Sequence, residues 1–371
     1  MDIYTLFRTC KNKDKLLEAL KQKPNLDVQN DYGNTIAMYA FKNCYHEDIL
    51  LELLRQKPDL NIQNDDGYTV AMIAFQYCND KDILLELLKQ KPNLNIQNNY
   101  GYTVAMYAFQ YYNDKNTLLK LLKQKPDLNI KNNYGMTVAM FAFQYCGDKN
   151  TLLKMLKQKP DLNIQTNYGY TVAMFAFKYC DDKDILLEVL KQKPNLNIKN
   201  NSGINATMYA FLYCQDNGIL LELLKQKPNL NIQNNYGNTV TMYAYTNCRN
   251  KDIFLKILKQ KPDLNIQNIY GYTIVMNIFK YCDDKDILLE VLRQKPNLTL
   301  KSFTNNSALD HALEYYVKSP NFEFDVLEKL YNENCKQDKQ LFNPTYIKLR
   351  NKYKVLPLIL FRHQKRYFYK N

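Results

Sequence analysis

The chain has no tryptophan, only three histidines and only ten glycines in 371 residues, and these scarcities exclude whole classes of function. His46, His311 and His363 occupy unrelated positions, so neighbouring residues supply neither a Cys/His nucleophile pair nor a histidine metal cluster. The glycines are dispersed and never form the cluster that cradles a phosphate. Acidic residues such as Asp80, Asp82 and Glu86 fit the solvated side of a helix rather than a pair of catalytic carboxylates. No apolar run reaches the roughly 18 residues of a membrane span, and Met1–Cys10 lacks the basic-then-apolar pattern of a signal peptide. The expectation is an intracellular, cytoplasmic, non-enzymatic protein with no cofactor, no metal and no small-molecule substrate.

What the chain does contain is periodic. Gly33, Gly67, Gly101, Gly135, Gly169, Gly203, Gly237 and Gly271 are each 34 residues apart, and proline keeps the same interval from Pro24 to Pro296. A strict period without insertions implies a quasi-one-dimensional stack in which each unit packs on its neighbours. Cys10, Cys44, Cys78, Cys146, Cys180, Cys214, Cys248 and Cys282 share one repeat position, which Tyr112 takes in the unit between Cys78 and Cys146. Stacked helices lie roughly 8–10 Å apart, beyond the Cα separation of about 7 Å that a disulfide tolerates. These thiols are therefore expected to stay unbridged and to pack as small apolar groups.

One unit reads as helix, helix, turn. In TVAMYAFQYY, Thr103–Tyr112, the residues Val104, Ala105, Ala108 and Phe109 fall at helical spacing behind Thr103, a candidate N-cap. A polar break such as Asn79–Asp82 follows, where Asp80 can cap a second helix carrying Ile83, Leu84, Leu87 and Leu88. The run Lys89–Gln90–Lys91 suits the negative C-terminal end of that helix, and Pro92 stops it. The remainder, NLNIQNNYGY from Asn93 to Tyr102, is an Asn-rich turn with one glycine for a positive φ.

On these residues the chain resembles the ankyrin repeat family. DLNIKNNYGMT, Asp127–Thr137, is similar to the family's ADVNAKDxxGxT, and Leu118–Leu119 with Leu121–Leu122 matches its second helix. The resemblance spans roughly Met1–Tyr331. It departs from the family where Thr103–Met106 replaces T-P-L-H, where one residue is added between the helices, and where Lys-Pro replaces Gly-Ala after the second helix. The fold it implies is an all-α repeat solenoid of ankyrin-type helix–helix–β-turn units stacked into one elongated domain. A tetratricopeptide array shares the 34-residue period and is the structural alternative, but it lacks the Asn-rich turn.

The expected organisation is an N-terminal capping half-repeat over 1–30, eight repeats over 31–302, a degenerate capping repeat over 303–335 with Asn305 at the glycine position, and a basic tail over 336–371. That tail holds ten Lys and Arg against one acid, a net +9 of the chain's +13. Its charge suits nucleic acid, an anionic membrane or docking to a modification complex, the alternatives to a protein partner.

The resemblance also implies where a partner protein would bind: the turn tips and the exposed side of the first helix, which form a concave face in ankyrin arrays. Three tyrosine rows map there. Before the glycine stand Tyr32, Tyr100, Tyr134, Tyr168, Tyr236 and Tyr270. After it stand Tyr68, Tyr102, Tyr170 and Tyr272, and at the end of the first helix Tyr77, Tyr111, Tyr145, Tyr179, Tyr213 and Tyr281. Tyrosine offers a large contact area and a hydroxyl while freezing only two torsions. The same richness in Asn, Lys, Ile and Tyr also matches an AT-rich genome, such as that of a virus or intracellular pathogen acting on a host, so composition alone does not separate a binding face from a codon bias.

Overall fold

The computed structural model describes residues 3–10, 12–248, 250–318 and 324–338. The basic tail from residue 339 onward, and the expectations placed on it, lie outside the described residues. Among the described residues there are twenty helices in ten consecutive pairs. The chain divides into two compact units, Met1–Asn201 and Ser202–Asn371. In each unit, first helices pack on first helices and second helices on second helices of the adjacent pairs. Each is an all-α repeat solenoid.

The local sequence accounts for the helix bounds. The Thr103 hydroxyl accepts from the Met106 N–H at 3.3 Å and opens the helix Val104–Tyr111. That helix buries Val104, Ala105, Met106, Ala108 and Phe109, each at most 2% exposed, so the methionine standing where the family favours histidine fills the core as adaptable apolar bulk. The Asp80 carboxylate accepts from the Asp82 and Ile83 N–H groups at 2.8 and 3.1 Å, satisfying two of the open donors at the start of Lys81–Lys89. Its Ile83, Leu84, Leu87 and Leu88 are buried.

The turn glycine is required twice over. Gly101 has φ +77°, and a Cβ there would lie 2.8 Å from Asn132 Cα and 2.9 Å from Asn133 N of the next turn. A second left-handed position was missed by the sequence reading, which gave the lysines after each second helix only a charge role. Lys57, Lys91, Lys125, Lys159 and Lys193 in the first unit, and Lys227, Lys261 and Lys295 in the second, have φ between 51° and 55°. They end the helix as its C′ residue: the Lys91 N–H turns back to the Leu88 carbonyl at 3.2 Å. This conformation costs a non-glycine residue about 1–2 kcal/mol.

Side-chain amides running from repeat to repeat hold these strained ends. Gln124 Nε2 donates to the Leu88 carbonyl of the preceding repeat at 2.7 Å, as Gln90 does to Leu54 and Gln158 to Leu122. Gln97 Nε2 bridges the Gly101 carbonyl of its own turn and the Lys131 carbonyl of the next, at 2.8 and 2.9 Å. Asn98 Oδ1 accepts from the Tyr100 and Tyr102 N–H groups and closes the turn. Asn133 Nδ2 then donates to the Asn99 carbonyl at 3.1 Å, beside a backbone bond from Asn133 N to Tyr100 O at 3.0 Å. Each such bond contributes about 0.5–1.5 kcal/mol, and the Leu88 carbonyl that Gln124 reaches also accepts from the Lys91 N–H. The Asn- and Gln-rich composition is thus largely used in joining repeats.

Ile3–Thr9 and Lys13–Lys21 form the first pair among the described residues, and Tyr4 donates to the Val28 carbonyl at 2.6 Å. Asn305 takes the glycine's place at φ 62°. The last helix, Phe324–Gln337, is closed by Gln337, which accepts from the Leu298 N–H and donates to the Pro296 carbonyl. All nine cysteines are free; Cys44, Cys78, Cys146 and Cys282 are buried and the others half-buried.

Candidate partner-binding face

The three tyrosine rows differ in how they are held. Turn-tip residues Tyr32, Tyr100, Tyr134, Tyr168, Tyr236 and Tyr270 are 54–69% exposed, and helix-end residues Tyr77, Tyr111, Tyr145, Tyr179, Tyr213 and Tyr281 are 41–63% exposed. The row after the glycine, Tyr68, Tyr102, Tyr170 and Tyr272, is half-buried. The contrast follows the turn: Tyr100 sits at the tip of the turn that Asn98 closes, whereas Tyr102, after Gly101, packs on rings of the first helices.

An aromatic position that sequence reasoning did not single out joins the rows. In four successive repeats the fourth residue of the first helix is aromatic: Tyr107, Phe141, Phe175 and Tyr209. In the first unit Tyr102 packs between Tyr107 and Phe141, with ring centroids 5.4 and 5.7 Å away, and so bridges two repeats. Tyr107 then stacks on Tyr111 and Phe141 on Tyr145, at 5.9 and 6.1 Å. Tyr68 also reaches Tyr107, and Tyr170, Phe175 and Tyr179 continue the pattern. In the second unit Tyr209 stacks on Tyr213, and Tyr272 lies on the buried His311. A four-residue offset on a helix, aromatic at both ends, was the available signal.

The face is held neutral. Burial, then the nearby hydroxyls of Tyr134, Tyr111 and Tyr145, raises the Tyr102 phenol above its ordinary value. Burial likewise raises Tyr111, with Tyr68, Tyr77 and Tyr145 adding to it. Tyr102 and Tyr111 therefore remain protonated near neutral pH, each able to donate and accept. The charges among them are cationic: Lys178 lies 4.9 Å from the Tyr179 ring centre and 5.9 Å from that of Tyr170, and Lys280 sits over Tyr272 and Tyr281. Gln76 and Gln110, next to the helix-end tyrosines, each bury an Oε1 that has no hydrogen-bond partner. Such a surface offers ring area and hydrogen-bonding groups.

Among the described residues no group of three or more His, Cys, Asp and Glu side chains could hold a metal ion, and no helix is long and apolar enough to cross a membrane. The family model for ankyrin repeats in three copies matches in four overlapping registers, 6–98, 41–132, 72–166 and 105–200. Together these cover 6–200, a little over half of the chain. No curated protein sequence matches it. Among solved structures, a complex of a predatory endopeptidase from Bdellovibrio bacteriovorus with an immunity protein contains a similar chain, at 26% identity and a TM-score of 0.41, covering 54% of this chain and 98% of that one.

Proposed function

The chain belongs to the ankyrin-repeat family, whose arrays generally serve as protein–protein interaction modules rather than enzymes, and on that premise we propose that it binds a partner protein through its tyrosine face. The observation that carries this reading is the combination of exposure and rigidity in the first unit. Tyr111 and Tyr145 leave about half of their surface open, yet each is fixed by a ring stacked beneath it. Little side-chain entropy remains to be lost on binding, the condition under which exposed aromatic area contributes most to affinity. The turn-tip row from Tyr100 to Tyr168 extends the same surface. The partner is a protein whose contact region offers apolar side chains and hydrogen-bonding groups to neutral phenols.

The test compares proteins captured by the intact chain, by a chain ending at Cys335 and by a Tyr111→Ser/Tyr145→Ser/Tyr179→Ser variant. A protein retained by the first two and lost by the third supports the reading. Retention by the triple variant together with loss on removal of 336–371 would instead make the basic tail the working part, acting as a tether to nucleic acid, an anionic membrane or a modification complex.

A further inference from the structure

At the C-terminal ends of the second helices in the first unit lies a cleft of about 640 Å³ between successive Lys-Gln-Lys-Pro segments. Five lysines line it, Lys89, Lys91, Lys120, Lys123 and Lys125, and no carboxylate does. Lys89 is paired with Glu86 at 2.6 Å. The other four make no ion pair with a described residue. The reason is visible in the repeat: the position that supplies Glu52 to Arg55, Glu86 to Lys89 and Glu188 to Lys191 is Lys120 beside Lys123 and Lys154 beside Lys157. Like charges three residues apart on a helix destabilise it, so these two consecutive repeats accept repulsion that their neighbours avoid.

We propose that this cleft is a docking site for an extended acidic peptide, distinct from the tyrosine face. Charge complementarity is the first argument: five ammonium groups around a cleft raise the local concentration of anions. The lining chooses among anions. It contains no aromatic ring, so single-stranded nucleic acid finds no surface for base stacking. Its apolar part is Leu88, Pro92, Leu94 and Pro126, a floor for side chains between the acidic ones.

Spacing supports the same occupant. Similar clefts flank the central one, at Arg55, Lys57 and Lys89 on one side and at Lys125, Lys157 and Lys159 on the other, each diluted by carboxylates, Asp59 and Glu86 in the first and Asp127 in the second. Stacked repeats advance by about 8–10 Å, which three residues of an extended polyproline II chain span at about 3.1 Å each, bringing every third side chain to the same face. A carboxylate at every third residue therefore meets successive clefts. The chain's own segment 339–371 cannot be the occupant, since it carries nine basic residues and no acidic one.

The experiment titrates the full chain into a fluorescently labelled Glu-Pro-Ala repeat peptide, and separately into an oligothymidylate of equal charge, at low and at high salt. Circular dichroism checks that each variant is folded. The peptide is expected to bind at low salt and to be released as salt screens the charges. Lys120→Gln/Lys123→Gln/Lys125→Gln should weaken it about tenfold through three exposed ion pairs lost together. Lys42→Gln/Lys199→Gln/Lys301→Gln, with the same loss of charge elsewhere, should bind as the parent does, and so should the tyrosine triple variant. Equal weakening by both lysine variants, tighter cleft-dependent binding of the oligothymidylate, or no peptide binding at low salt would overturn the proposal.

Discussion

Replacing Gly101 by alanine tests the stacking of the turns, because a second glycine supplies an internal control. At φ +77° the alanine costs about 1–2 kcal/mol in backbone strain alone. Its Cβ, 2.8 Å from Asn132 Cα and 2.9 Å from Asn133 N, meets backbone rather than a flexible side chain. The neighbouring turn has to withdraw, which breaks the Asn133 N to Tyr100 O bond at 3.0 Å, worth about 0.5–1.5 kcal/mol. The sum is about 1.5–3.5 kcal/mol. Gly147 lies in the loop between two helices, with nothing within 4 Å of a built Cβ. Gly147→Ala should change stability by no more than about 1 kcal/mol, and in the stabilising direction. Urea unfolding followed by circular dichroism measures both, and hydrogen exchange at Asn133 localises the effect. Equal midpoints for Gly101→Ala and the parent, or an equal loss in Gly147→Ala, would refute the account of the turns.

Three further outcomes are expected. Gln124→Leu removes one of the donors to the Leu88 carbonyl, which keeps the Lys91 N–H, and should cost about 0.5–1.5 kcal/mol in urea unfolding, whereas a cost near zero would mean that water replaces the amide. His311 is buried with no hydrogen bond at either ring nitrogen; burial, then Lys280, holds its pKa below the ordinary 6.5, against the opposing carboxylates of Glu314 and Asp310. A depressed folded-state pKa means that stability is present above the unfolded value and is lost as pH falls through it. Hydrogen-exchange protection factors across 308–318, referred to the intrinsic rate at each pH, should therefore fall below about pH 6.5 in the parent but not in His311→Leu. Burial pushes the Cys282 thiol up to about 11 and also raises Cys78 and Cys146, so these three should resist a thiol reagent at neutral pH until urea is added, and immediate labelling of the native chain would contradict their burial.

Much of the fold could be read from the repeat, because helix starts and apolar stripes are local properties. Thr103, Asp80 and the Leu121–Leu122 pair act as their spacing suggests, and Asn305 takes the left-handed turn that its alignment with glycine implies. The left-handed lysines were not legible, since nothing in residue type marks Lys91 for a positive φ; the conformation goes with the turn of its N–H back to the Leu88 carbonyl at the helix end. The glutamine and asparagine ladders were hidden for a related reason: each joins residues 32 to 36 positions apart, where only the stack brings them together. The tyrosine rows were visible as a pattern. Which row stays exposed was decided by the closed Asn98 turn and by the rings at Tyr107 and Phe141.

The central claim, that the tyrosine face receives a protein partner, is tested most directly by oxidative footprinting of the full chain alone and with its captured partner. The account predicts that Tyr100, Tyr111, Tyr134 and Tyr145 lose reactivity together, while Tyr45, 89% exposed and outside the rows, keeps its own. Unchanged reactivity at these four, with protection confined to Tyr45 or to the lysine cleft, would contradict it.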